Sequence, residues 1–288
     1  MRSDGDAVTT DQVTAKVLAS LSPDCDPRVR ELSEAIIRHL HALVVEVGLT
    51  VEEWRGAIDF LTRTGAMCTD DRQEFMLLSD VLGISMLVDA LNHPGGNGTT
   101  EHTVIGPFYT AAPTRAIGSD ISGDSVGMPL LFTGIVTNES GERLSGAVVD
   151  VWQSDANGFY DVQLGPERNL RARFTTGADG RISFWSVVPS SYPIPNDGPV
   201  GDLLVAQGMH PYRPAHVHFR IDANGYEELI THVFISGDKY LDSDVVFGTK
   251  PSLIRAPEYL APGIAPDGRQ VTEAWAQLSY DFVLLALD

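Results

Sequence analysis

The chain contains only two cysteines, Cys25 and Cys68, among 288 residues. They form no C-x-x-C pair, which excludes a disulfide framework and a thiolate metal cluster and fits a reducing cytoplasm. Positive charge is also scarce: 20 Lys and Arg stand against 39 Asp and Glu, a formal charge of −19. Such a surface repels phosphate backbones and anionic headgroups, so neither nucleic acid nor a membrane surface is an expected partner. No apolar run approaches the roughly 20 residues of a membrane span. Met1 to Thr10 form an acidic stretch without the basic and apolar regions of a signal peptide, so membrane insertion and secretion are not expected. Internal repeats and low-complexity tracts are missing too. What is present, 43% hydrophobic and 20% charged residues, is ordinary for a packed soluble protein.

The first third reads as helical. Val29, Leu32, Ile36, Leu40, Leu43 and Val47 recur at helical spacing up to Gly48. Thr50 and Glu53 have the spacing of a capping box ahead of Trp54, Ile58 and Leu61. A single further helical run is expected through Phe75, Leu78, Leu82, Met86 and Leu87. His93 to Gly98 then break the pattern, and irregular chain follows to about Pro129. Beyond it come short β-rich runs: Leu130 to Thr137, Gly146 to Trp152, Leu170 to Thr176, Arg181 to Val188, His216 to Ile221, Leu229 to Ile235 and Leu278 to Leu285. With Gly and Pro turns and no helical run between them, they predict a mainly β protein, an antiparallel β-sandwich over residues 101–288 behind a helical domain over 1–100.

Side chains alternate along a strand, so His216 and His218 project from one face and aim two imidazoles at one place. An H-x-H pair on its own equally describes two hydrogen-bonded structural histidines. Tyr160, at the end of the turn Asp155 to Phe159, and Tyr192, held extended by Pro189, Pro193 and Pro195, each read alone as core tyrosines with satisfied hydroxyls.

Three blocks change that reading. Gly146 to Tyr160, Pro189 to Pro195 and Arg213 to Phe219 stand in the order of the signature blocks of the intradiol ring-cleavage dioxygenases, and the chain resembles that family from about residue 30 onward. Within it, Thr231 to Phe234 and Tyr240 to Gly248 are most similar to the hydroxyquinol-cleaving branch. The resemblance implies one ferric ion per subunit held by Tyr160, Tyr192, His216 and His218, with Tyr192 leaving the metal when substrate binds. It also implies that O₂ opens a dihydroxybenzene, here hydroxyquinol, to 3-hydroxy-cis,cis-muconate or maleylacetate. The donor types agree, because two hard phenolates favour Fe(III), whereas Fe(II) oxygenases use two histidines and a carboxylate. By the same resemblance Arg213 stabilises charge on the ring, and Leu77, Asp80, Val104, Ile105, Gly106, Pro107, Phe108, Ile194, Pro195 and Val246 line the substrate pocket. His232 stands where the catechol-cleaving branch has glutamine, and its expected place is behind the ligands. Asp80 is a carboxylate in an apolar helical stretch, which calls for water or a specific polar partner.

Family likeness further implies a homodimer through the N-terminal helices, with phospholipid enclosed between them. Two other readings fit the same residues. One is a catechol or chlorocatechol 1,2-dioxygenase with the same iron, and the other is a metal-free β-sandwich binding module, which would be colourless.

Overall fold

The computed structural model describes residues 9–69, 72–94, 98–165 and 168–287, so the expected break at Gly95, Gly96 and Asn97 lies outside the described residues. The chain divides into two compact units, Met1–Arg63 and Thr64–Asp288.

In the first unit α1 (Thr10–Ala19) precedes α2 (Pro27–Val47) and the start of α3 (Val51–Ala66). Asp26 caps α2 by accepting from the amides of Arg28 and Val29, and the helix stops at Gly48, whose φ of 63° is left-handed. At the start of α3 the Thr50 amide donates to Glu53 and the Glu53 amide donates to Thr50, the reciprocal cap expected from the sequence. The helix α1 was not expected; its own capping box, Thr9 with Gln12, marks where it begins.

The single run expected through Leu87 is two helices, α4 (Glu74–Val81) and α5 (Ile84–Asn92), broken at Gly83 with φ 70°. Both group with the strands in the second unit. There β1 (Pro129–Asn138), β2 (Val148–Gln153), the short α6 (Asp161–Leu164), β3 (Arg171–Thr175), β4 (Arg181–Val187) and β5 (Tyr192–Pro193) follow. The helix α7 (Pro199–Ala206) begins with Pro199, contrary to the expectation of no helix between strands, and buries Val200 and Leu204. After it come β6 (Tyr212–Arg213), β7 (His216–Asp222), β8 (Leu229–Ile235), β9 (Ile254–Arg255), β10 (Glu258–Leu260), the hairpin of β11 (Gly263–Ile264) and β12 (Gln270–Val271), then β13 (Trp275–Ser279) and β14 (Phe282–Leu284).

Two five-stranded sheets carry the unit. One runs β3-β2-β7-β8-β9; in the other β1 is flanked by β4 on one side and by β13 and β14 on the other, with β10 beyond β13. The pairing is not purely antiparallel, because β1 pairs parallel with β13 and β14, and β8 with β9. In each case a long connection lets the later strand return in the same direction. The expected strand Leu278 to Leu285 is also interrupted: the Ile135 amide donates to the Asp281 side chain instead of to a backbone carbonyl.

Val149 and Val151 of β2, Val217, Phe219 and Ile221 of β7, and Val233 and Ile235 of β8 join Leu130, Phe132, Phe184 and Phe282 of the other sheet in one core. These are alternate residues, so the intervening Trp152, His216, His218 and His232 belong to the opposite face. All four are nevertheless buried. Both faces of β7 are therefore covered, one by the second sheet and one by the pocket walls.

Candidate active site

Strand register sets the centre. His218 stands opposite Trp152 on β2 and opposite His232 on β8, while His216 stands opposite Phe234. The Trp152 ring stacks on His218 at 4.5 Å and 14°, which fixes the plane of that imidazole. Nδ1 of His216 donates to the Pro214 carbonyl at 2.6 Å, so its Nε2 carries the lone pair.

The tyrosines come from outside the sheet. Tyr160 leads into α6, and its ring lies under Phe108 at 4.4 Å and edge-on to Tyr192 at 5.0 Å. A buried ion pair holds that arrangement. Arg171 binds Asp161 through Nε at 3.0 Å and Nη2 at 2.8 Å, and donates also to the carbonyls of Phe108 and Thr110. Tyr192 on β5 pairs with Arg213 on β6. The turn before Tyr160 packs tightly on Tyr192: a Cβ at Gly158, with φ 85°, would sit 3.0 Å from the Tyr192 Cβ.

The donor atoms converge. Tyr160 Oη lies 2.9 Å from His218 Nε2, and His216 Nε2 lies 3.0 Å from the same atom. These are hydrogen-bond distances, and they also match the roughly 3.0 Å between neighbouring donors held at right angles by bonds of about 2.1 Å, so the three atoms could share one metal ion. The Tyr192 hydroxyl is buried and has no hydrogen-bond partner among the described residues, an omission that costs about 1–3 kcal/mol unless a ligand takes it. Burial, and then the neighbouring Tyr192, push the Tyr160 phenol well above its ordinary range. Burial likewise raises the Tyr192 phenol. A hard cation is what would make both phenolates. Burial, reinforced by surrounding positive charge, holds His216 and His218 well below the ordinary histidine range, so both are neutral donors. The residues thus fit a hard, highly charged metal ion.

Arg213 is fully buried and pairs with Asp244, Nε to Oδ1 at 3.1 Å and Nη2 to Oδ2 at 3.2 Å. Burial opposes its charge, but Asp244 and both tyrosines favour it, so the guanidinium stays cationic beside Tyr192. Asp244 also accepts from the amides of Val246 and Gly248, which places the Val246 wall. Its role was not apparent from the sequence, although it lies inside the block Tyr240 to Gly248. The same is true of Arg171 and Thr103, whose partners are distant in the chain.

Of the expected wall, Leu77, Val104, Ile194 and Val246 form one buried cluster with Trp152, Tyr160 and Tyr192, and Ile105 and Phe108 pack against it. A Cβ at Gly106, with φ 75°, would reach 3.3 Å from Cε1 of His218, so only glycine lets the linker pass this close. Pro107 and Pro195 are half-buried beside Phe108 and Ile194 in the chain. Asp80 is buried near Arg213 and Asp244; burial raises its pKa, against the Ser85 hydroxyl and the Arg213 charge.

A second group, Asp89, His93 and His102, is of a different kind. The two rings stack at 3.8 Å and 5°, so their in-plane lone pairs do not converge, and the Lys250 ammonium sits on Asp89 at 3.3 Å. It is an ion pair beside a ring stack.

Known proteins match along nearly the whole chain. It is 48% identical to the 6-chlorohydroxyquinol 1,2-dioxygenase of Cupriavidus pinatubonensis, over 94% of this chain and 96% of that one. It is 46% identical to the hydroxyquinol 1,2-dioxygenase of a Rhizobium species, over 88% of each. The crystal structure of hydroxyquinol 1,2-dioxygenase from Pseudomonas putida DLL-E4 superposes with a TM-score of 0.89 at 43% identity, covering 96% of this chain and 99% of that one. Residues 26–100 match the family described as "Catechol dioxygenase N terminus" and residues 104–286 the family described as "Dioxygenase". Matched by both family models and by these relatives over nearly its whole length, the chain belongs to the intradiol ring-cleavage dioxygenases.

Proposed function

We propose that this enzyme cleaves hydroxyquinol with O₂ between its two adjacent hydroxylated carbons, yielding 3-hydroxy-cis,cis-muconate or its keto form, maleylacetate. It does so with one ferric ion per subunit, held by Tyr160, Tyr192, His216 and His218. The observation that carries the reading is the convergence of Tyr160 Oη, His216 Nε2 and His218 Nε2 within 3.0 Å of their neighbours, next to the unpartnered Tyr192 hydroxyl. When bound, the ferric ion would supply Lewis acidity toward the oxygens of the dihydroxylated substrate.

The chain's own residues do the rest. Tyr192 Oη, as a phenolate, would be the base that accepts a substrate proton. The guanidinium of Arg213, held cationic by Asp244, balances negative charge gathering on the ring, and in a buried site that counts for more than in water. Phe108, Ile194 and Val246 keep the ring flat against a dry wall. Asp80, on the same helix face as buried Leu77, accepts from the third hydroxyl, which catechol lacks.

The wild-type protein is expected to be red-brown from phenolate-to-iron charge transfer, and its kcat/KM is expected to be higher for hydroxyquinol than for catechol. A protein that stays colourless after loading with ferric iron would overturn the two-phenolate ligand set. A coloured enzyme that prefers catechol would keep the iron chemistry and overturn the substrate.

No residue of α2 is buried, and Val29, Leu32, Ile36, Leu40 and Leu43 form an exposed apolar stripe. A stripe of that length needs cover, and we assign it to a second copy of the chain with phospholipid enclosed between the helices. Light scattering is expected to give twice the chain mass, and phosphate analysis of the purified protein to give bound lipid; a monomer at micromolar concentration would contradict the dimer. Both cysteines are unpaired, in keeping with action in the cytoplasm. Among the described residues no helix is long and apolar enough to cross a membrane.

A further inference from the structure

We infer that Thr103 and His232 are positioning residues that lock His218 into a single tautomer, with its Nε2 lone pair aimed at the metal; this rests on the iron site proposed above. His218 Nδ1 lies 2.7 Å from His232 Nε2, and His232 Nδ1 lies 2.8 Å from Thr103 Oγ1. The three residues are buried, His218 at 1%, His232 at 0% and Thr103 at 4% exposure, so the chain of contacts is closed to bulk water.

The direction of every bond in that chain follows from one condition. If Nε2 of His218 is to hold a metal it carries no proton, so the ring's proton is on Nδ1 and donates to His232 Nε2. His232 then accepts at Nε2, so its own proton is on Nδ1 and donates to Thr103 Oγ1. With both rings neutral, the two bonds can reverse only together, and that would place an N–H against the metal. His232 has both nitrogens engaged in this way and is therefore not a third histidine ligand, although its atoms lie close enough to those of His216 and His218 to share an ion.

The geometry also shows how the relay is held. His232 faces His218 directly across the β7–β8 ladder, with its ring edge-on at 4.2 Å and 86°. Thr103 is fixed by its amide, which donates to the Ile230 carbonyl at 2.9 Å, two residues from His232 on β8. Thr103 immediately precedes Val104 to Phe108, so the residue that terminates the relay also anchors the start of the pocket wall. Trp152 sets the plane of the His218 ring from its face, and the relay sets its rotation within that plane.

The test compares T103V, which keeps the shape and loses the acceptor, with T103S, which keeps the hydroxyl, and with H232L. Iron retention against a ferric chelator and the position of the visible band are read on each purified protein. T103V and H232L are expected to bind iron roughly 10–100-fold more weakly and to shift the band, whereas T103S behaves like wild type. T103V with wild-type retention and spectrum, or T103S as impaired as T103V, overturns the inference.

A second measurement needs no variant. With Ga(III) as a diamagnetic probe in place of iron, long-range ¹H–¹⁵N spectra of the wild-type protein are expected to show His218 and His232 both protonated at Nδ1. A His232 proton at Nε2 overturns the inference even where an apolar variant fails to fold. Wild-type protein that holds neither iron nor Ga(III) would sink the site reading and this inference with it. Normal wild-type binding with an insensitive T103V sinks the inference alone.

Discussion

Tyr160→Phe and His216→Ala proteins are expected to purify with most of their iron gone and without the visible band. Each substitution takes one donor from a set of four, and the cost is expected to exceed the roughly 10–100-fold that loss of an outer partner costs a metal site. The fold should survive in Tyr160→Phe. The Tyr160 hydroxyl bonds His218, and the ring contacts with Phe108 and Tyr192 remain. A near-native circular dichroism spectrum together with lost colour would separate a ligand defect from misfolding. Full iron content and an unchanged spectrum in both variants would remove the ligand assignment.

Replacing Asp80 with Ala is expected to lower kcat/KM for hydroxyquinol by roughly 10- to 150-fold while leaving catechol far less affected. The carboxylate is 3% exposed and lies on α4 three residues from Leu77, so both face the same buried region. Burial raises its pKa, and the Ser85 hydroxyl and the Arg213 charge hold it down, so the carboxylate is a costly buried group to which a further donor would be worth adding. A third ring hydroxyl supplies one. A hydrogen bond to a charged group contributes about 1.5–3 kcal/mol, and that range is the expected discrimination. Because catechol makes no such bond, it has no partner to lose. Equal losses on both substrates would show that Asp80 supports the fold or the iron site in general.

How much of this was legible in the chain depends on the kind of signal. The β-runs from Leu130 to Ile235 are nearly those expected, because alternation and turn residues are local. His216 and His218 share a face for the same reason. Tyr160, in the turn ahead of α6, and Tyr192, on the two-residue β5, carry no such period, and only the resemblance of their blocks to a family singled them out. Asp244, Arg171 and Thr103 escaped notice because each acts through a partner brought near only by the fold: Arg213, Asp161 and His232. The division of the α4–α5 run at Gly83 was missed because Leu82 and Met86 keep apolar spacing across it. The parallel pairing of β13 and β14 with β1 joins residues about 146 positions apart, and no short pattern announces it.

The strand that sends Val217, Phe219 and Ile221 into the core sends His216 and His218 to the other side, one residue out of phase. A slip of a single residue during folding would therefore turn the imidazoles into an apolar interior and drive Phe219 out, a state penalised twice. The hydrophobic effect thus proofreads the metal site before any metal arrives: a chain that has packed its core correctly has, by the same act, aligned its two histidines.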